Sequence, residues 1–384
     1  MRATEGRLVR ATIAALGLLV ASPCLPASKL VGDLPRAGGA ALEAIPGLDT
    51  VYDSLTTADG VRLRTITTRP TGARGRLPAI LFVQWLSCDT IELPASGGSG
   101  WNRMMRRVAQ ESGLVMMRTE KRGVGDSGGG PCSALDYRTE LADHRAALAR
   151  LRASPGVDPR RIVVFGASMG GTYAPLLAAG EELAGVIVWG AGARTWFERM
   201  LTFERNRREL TGTPAASLDG EMKSVSAFLY HYLVAGQSPR QIAAEHPALA
   251  VGWSQLVGTE GDLHYGRPLG FHQQAQQQDW ARAWGMVGSP VLVLFGEYDW
   301  YESAASAQLI ARIVERGHPG RARFALIPRT DHHFEAFASA EAAAAGTGGR
   351  ENADPAVREI LGWLRRTVPA STAAPARAAT PSRR

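Results

Sequence analysis

Residues 162–172, IVVFGASMGGT, limit most strongly what this chain can fold into. A β-branched apolar run, Ile162-Val163-Val164-Phe165, leads straight into Gly166-Ala167-Ser168-Met169-Gly170, and a helix-compatible segment follows at 173–179. G-x-S-x-G in that setting means a strand, a sharp strained turn that presents one serine, and a helix. Gly166 and Gly170 remove side chains that would crowd the turn, and they tolerate unusual backbone angles. The serine Oγ then stands at the carboxyl edge of a sheet, and the first N–H groups of the helix point at whatever it attacks. The plain alternative is a glycine-rich turn with an incidental serine, so the rest of the chain has to decide.

The surrounding pattern is that of an α/β sheet. Residues 51–55 and 61–67 flank Asp59-Gly60, a hairpin signal. Residues 78–84, 114–119, 185–189 and 290–295 are short apolar runs, as expected of parallel strands covered on both faces, and 322–327 reads as a last strand. Helical patterns fall between them at 101–110, 135–151, 304–316 and 355–367, with Leu141, Ala142, Leu148 and Leu151 expected on the buried face of the second. This alternation predicts a mostly parallel central sheet flanked by helices. From 191 to 288 no core strand appears. Trp196, Phe197, Met200, Leu201 and Phe203, then residues 228–233, have amphipathic helical spacing instead. A long insertion at one point of such a sheet is expected to be a helical cap over the site, a separate small domain being the alternative.

Charge and cysteine usage bear on location and partners. The chain of 384 residues is 45% hydrophobic and carries a net +7, of which +2 lies in residues 1–27 and +3 in residues 370–384. The body has no basic groove with interleaved aromatics, so no nucleic-acid partner is expected. Arg2, Arg7 and Arg10 precede an apolar run at 11–21 that is too short to span a membrane, and small residues lead to a cleavage site near Ala27. That predicts an exported protein, periplasmic or secreted, with no stable membrane span once the signal is removed. An uncleaved anchor is one alternative. A lipid anchor on Cys24 is another, opposed by Pro23 where a small residue is expected. Loss of Cys24 leaves Cys88 and Cys132, which can pair in an oxidising compartment or remain two buried thiols. With no C-x-x-C and no H-E-x-x-H, neither a metal nor a cofactor is expected. The expected organisation is signal 1–27, linker 28–50, core 51–191, cap 192–288, core 289–368 and a disordered tail 369–384.

A neutral serine is a poor nucleophile and needs a base, which in turn needs an orienting acid. After Ser168 two strand ends supply them: Asp299 in Gly296-Glu297-Tyr298-Asp299, and His332 in Asp331-His332-His333-Phe334. With GASMGG at 166–171 and KRGVGDSGG at 121–129, these motifs make the chain resemble the α/β-hydrolase superfamily over nearly all of residues 50–368. The resemblance implies Ser168 as nucleophile, His332 as base and then acid, and Asp299 as the residue that orients the imidazole. His332-His333-Phe334 fits the family's His-x-Phe, which favours His332 over His333; Asp299 matches the usual acid position better than Glu297. For the oxyanion hole it implies the N–H of Met169 and a second donor after the strand ending near Gln84. Many relatives carry His-Gly there, whereas this chain has Gln84-Trp85-Leu86, so Leu86 is expected and Trp85 comes next. Cys88 lies in that loop, and a bridge to Cys132 would brace it. Arg122 and Asp126 are expected to lock their turn by local hydrogen bonds. The expected activity is ester hydrolysis through an acyl-enzyme, on a small-molecule ester or short peptide. A peptidase or amidase is the second reading and a non-catalytic binding protein the third. Glu198, Glu204 and Glu209, beside Arg199, Arg205 and Arg208, are expected as surface ion pairs rather than a peptide-amine site.

Overall fold

The computed structural model describes residues 43–94, 97–250 and 263–369. The expected signal, most of the expected linker and the tail from residue 370 lie outside the described residues. The chain opens with β1 (Leu48–Thr56) and β2 (Arg62–Pro70), an antiparallel hairpin turned at Gly60, whose φ is +82°. Then come β3 (Leu77–Val83), α1 (Gly100–Glu111), β4 (Val115–Thr119), α2 (Tyr137–Arg152), β5 (Val157–Ala167), α3 (Gly170–Ala178) and β6 (Gly185–Trp189). The insertion holds α4 (Trp196–Leu210), α5 (Ala215–Leu229), α6 (Pro239–Glu245), a short antiparallel pair β7 (Leu263–His264) and β8 (Arg267–Pro268), and helices Leu269–Gln276 and Trp280–Gly285. The core resumes with β9 (Val291–Gly296), helix Ala304–Gly317, β10 (Ala322–Ile327) and helix Asp354–Thr367.

Eight strands form one sheet in the order β1-β2-β4-β3-β5-β6-β9-β10. Every pairing from β4 to β10 is parallel, and only β2 runs against its neighbours. The strands expected from apolar runs are the central ones: all residues of β4, β6 and β9 are buried. Side chains alternate between the faces. Leu81, Val164, Val188 and Val293 pack in the cluster with Tyr173 of α3 and Leu148 of α2, while Ile80, Phe165, Ile187 and Leu294 pack with Met104 of α1 and Ile360 of the last helix. The expected sheet, flanking helices and helical insertion are all present.

Three expectations about which residues are buried do not hold. Ala142 is exposed; α2 instead buries Leu141, His144, Ala147, Leu148 and Leu151, together with Glu140 and Asp143, because polar groups from distant segments reach that face. Glu43 and Ile45, within the expected linker, are buried. The Glu43 carboxylate neutralises Arg118, which is buried in mid-β4, and accepts the Leu93 N–H at 2.8 Å. In α4 only Arg205–Glu209, at 3.2 Å, is the expected surface pair. Glu198 closes a capping box with Thr195. Glu204 and Arg208 are 1% and 3% exposed and bonded to each other, while Arg199, at 7%, is also buried.

Candidate active site

The carboxyl ends of β3, β5, β6, β9 and β10 meet beneath the helical insertion, where such sheets bind ligands. β5 delivers Ser168 in the left-handed region at φ +55°, a conformation that costs a non-glycine residue energy and points to function. Its neighbours leave no room for side chains. A Cβ on Gly166 would lie 2.4 Å from the Gly170 carbonyl oxygen, and one on Gly170 would lie 2.0 Å from that of Val83. The Ser168 N–H donates to the Trp189 carbonyl at 2.8 Å, and Gly171 and Thr172 donate back to the carbonyls of Ser168 and Met169, both at 2.9 Å. None of these bonds uses the Met169 N–H.

Asp299 and His332 are brought together, and His332 lines the same cavity as Ser168. His332 Nδ1 lies 2.6 Å from Asp299 Oδ2, and the other carboxylate oxygen accepts the Tyr301 N–H at 2.9 Å. Both side chains are buried. The imidazole neighbours the rings of Tyr301, at 4.8 Å, and Trp101, at 6.0 Å, while Trp189 Nε1–H donates to the His332 carbonyl at 3.0 Å. Gly190 (φ +60°) lies against the pair: a Cβ there would fall 2.6 Å from His332 Cε1. The competing residues are occupied elsewhere. Glu297 is exposed and accepts the Arg329 N–H at 2.6 Å. His333 is exposed and faces Asp331 at 3.2 Å, which raises its pKa.

The loop after β3 carries one end of the expected Cys88–Cys132 bridge and is also held by groups that sequence reasoning missed. Lys121 reaches under it and donates to three consecutive carbonyls, those of Trp85, of Leu86 at 3.0 Å and of Ser87 at 2.9 Å. Three acceptors call for the three N–H donors of an ammonium. Glu140 Oε1 lies 3.4 Å away, although burial and the neighbouring Arg267 pull the lysine pKa down. Arg267, from β8 of the insertion, binds Glu140 and donates to the Cys132 carbonyl at 2.8 Å. Cys88 and Cys132 are joined as a disulfide. Arg122 and Asp126 do fasten their turn, but to distant partners rather than local ones. Arg122 binds Asp143 at 2.7 and 2.8 Å and Asp59 at 2.6 and 2.9 Å, and Asp126 accepts from Arg64 at 2.8 Å.

Ser168, Met169, Leu86, Trp85 and His332 line one cavity of about 860 Å³, with Trp101, Trp196, Met200, Phe203 and Tyr301 among the residues of its apolar wall. Among the described residues no group of three or more His, Cys, Asp or Glu is arranged to hold a metal ion, and no helix is long and apolar enough to cross a membrane.

No family model matches the chain. Over 96 residues it is 36% identical to the quorum-quenching protein AidA of Acinetobacter baumannii, a stretch covering 23% of this chain and 32% of that protein. The chain thus spans about a third of the length of the curated relative it matches. Among solved structures, an acylaminoacyl peptidase of Pyrococcus horikoshii superposes with a TM-score of 0.54 at 10% identity, over 84% of this chain and 42% of that one. An esterase of Pyrococcus furiosus superposes with a TM-score of 0.50 at 13% identity, over 88% and 97%. These likenesses, with the strand order above, define the class: the protein has the α/β-hydrolase fold.

Proposed function

We propose that the protein is a serine hydrolase that cleaves carboxylic esters through an acyl-enzyme. The observation that carries this reading is the Asp299–His332 pair at 2.6 Å, sharing a cavity edge with a serine held at positive φ. Ser168 Oγ attacks the ester carbonyl while His332 Nε2 takes its proton. Asp299 keeps the Nδ1–H tautomer and stabilises the imidazolium. The alcohol leaves with the proton from His332, and water then releases the acid by the same route. The tetrahedral oxyanion is held by the Met169 and Leu86 N–H groups. Leu86 is preferred to Trp85 by its position in the loop, and its N–H is free to face the cavity because the carbonyl and N–H of a trans peptide point opposite ways. With the Trp85 carbonyl turned towards Lys121, the Leu86 N–H is turned away from it. The disulfide supports a protein that works outside the cytosol.

The test is turnover of short and medium p-nitrophenyl esters beside aminoacyl-p-nitroanilides, by the protein and by Ser168→Ala. Ester turnover that disappears in the variant is expected. Turnover of the anilides alone would make it a peptidase. Turnover of neither, with no fluorophosphonate labelling, would leave a binding protein on a hydrolase scaffold.

A further inference from the structure

Arg199, on the first turn of α4, is buried in the cavity wall and poorly satisfied. Its side chain is 8% exposed, its guanidinium lies over the Trp196 ring at 5.0 Å, and both residues line the cavity that holds Ser168. Its nearest carboxylate, Glu302, is 3.6 Å from Nε, beyond hydrogen-bond reach, and Nη1 is buried without a hydrogen-bond partner. Other buried arginines of the insertion each hold a carboxylate within hydrogen-bond distance, although Arg267 Nε is also buried without a partner. Arg208 binds Glu204 and Glu221, and Arg267 binds Glu140 and the Cys132 carbonyl. A guanidinium has five N–H donors, and leaving them unmet in a buried place is costly. Glu302 is shared: its Oε1 accepts the Ser303 N–H at 2.8 Å, and only Oε2 faces Arg199, at 3.6 Å from Nε. The acidic groups that also line the cavity are bonded too, Asp89 to the Ser87 hydroxyl and Glu92 to the Tyr52 hydroxyl.

We propose that Arg199 is the anchor of an anion subsite, and that the substrates are esters carrying a free carboxylate besides the scissile bond. This rests on the hydrolase reading above. A carboxylate matches the planar guanidinium fork, and the flat face of Trp196 keeps that fork oriented. In such a cavity the charge selects the substrate while the apolar wall packs its carbon skeleton.

The test compares matched pairs: p-nitrophenyl hydrogen glutarate with p-nitrophenyl pentanoate for a carboxylate on the acyl side, and 4-acetoxybenzoate with its methyl ester for one on the alcohol side. The readout is the ratio of kcat/KM within each pair, with Ser168→Ala as the background. The protein favours the anionic member of at least one pair by about tenfold to a hundredfold, as a charge-assisted bidentate contact supplies. That ratio collapses towards one in Arg199→Met and is partly kept in Arg199→Lys. Because Arg199→Met leaves Glu302 without its cation, the double variant Arg199→Met, Glu302→Gln is measured as well, with folding checked by thermal melting. Equal handling of both pairs, or a preference that survives loss of Arg199, overturns the proposal while leaving the hydrolase reading intact. Calorimetric binding of glutarate to Ser168→Ala separates the two ideas. Arg199-dependent binding without turnover in the active protein would keep the subsite and remove the hydrolase; no binding, together with no anionic preference, removes the subsite.

Discussion

Ser168, Asp299 and His332 are held by backbone: strand ends, a strained turn, and glycines at 166, 170 and 190 that let main chain and rings approach closely. Across the cavity, the Trp85–Leu86–Ser87 stretch has no such glycine. It is held by side chains from far away, Lys121 beneath it, Glu140 from α2, Arg267 from the insertion, and the Cys88–Cys132 bridge. The difference teaches where each half is vulnerable. A backbone-built half fails through added bulk, whereas a half built from buried polar side chains fails through a missing partner or a changed protonation state.

The largest expected effect is on the first half. If Ser168 is the nucleophile proposed above, Ser168→Ala lowers kcat by about 10⁴-fold or more, leaving only what the proposed oxyanion donors and binding supply. A comparable rate in the variant would break the comparison at its root. Next is Gly190→Ala, which places a methyl group 2.6 Å from His332 Cε1 and 3.0 Å from Asp299 Oδ2. It lowers kcat on the order of 10²-fold with little change in KM, since misplacing a catalytic group by about 1 Å costs that much. Steady-state kinetics on one ester read this directly, and an unchanged kcat would show that the pair can shift without loss.

Lys121→Met probes the other half. Losing an oxyanion donor costs about 10²–10³-fold in kcat. Under the proposed mechanism Lys121 acts only by positioning the Leu86 N–H, so a fall of roughly tenfold to a hundredfold is expected by the same reasoning. The loss is in kcat, and a fluorophosphonate labels the variant correspondingly slowly. A variant that merely melts earlier, with kcat kept, would reduce Lys121 to a structural role. Opening the bridge with Cys88→Ser and Cys132→Ser is expected to change kcat only a few-fold, because Lys121 still holds the loop. The bridge closes 44 residues, so its loss costs roughly 2–5 kcal/mol of stability, measurable by urea unfolding.

The smallest effect is a slope. Burial, and then the nearby Lys121, push the pKa of His144 from 6.5 down to about 3. Below about 6.5 the unfolded chain takes up a proton that the folded protein refuses, so stability is full above that pH and falls as the pH drops towards 3. His144→Phe flattens that dependence, checked by denaturation midpoints at pH 7 and pH 4.5. An unchanged slope would place the acid sensitivity outside this cluster.

The fold was legible in the sequence because its signals are local. Apolar runs of five to seven residues, a hairpin at Asp59-Gly60 and a strand–turn–helix at Ser168 each follow from neighbouring residues. Asp299 and His332 were legible too, since a parallel sheet delivers every strand's carboxyl end to one edge whatever lies between. Burial of charge was not legible. Ala142 looked like core and is exposed; Glu43, Glu204 and Arg208 looked like surface or linker and are buried.

Sequence alone therefore determined the order of strands and helices, because backbone geometry and apolar periodicity act over a few residues, and it placed Ser168, Asp299 and His332 at strand ends, with the family resemblance choosing Asp299 over Glu297 and His332 over His333. Only the tertiary structure decided that Lys121, Glu140 and Arg267 join the Cys88–Cys132 bridge in holding the loop after β3, and where Arg199 is left short of partners. A buried ion is stable only if its counter-charge arrives, and for Arg267 that partner, Glu140, lies 127 residues away in the chain, a distance no local pattern records.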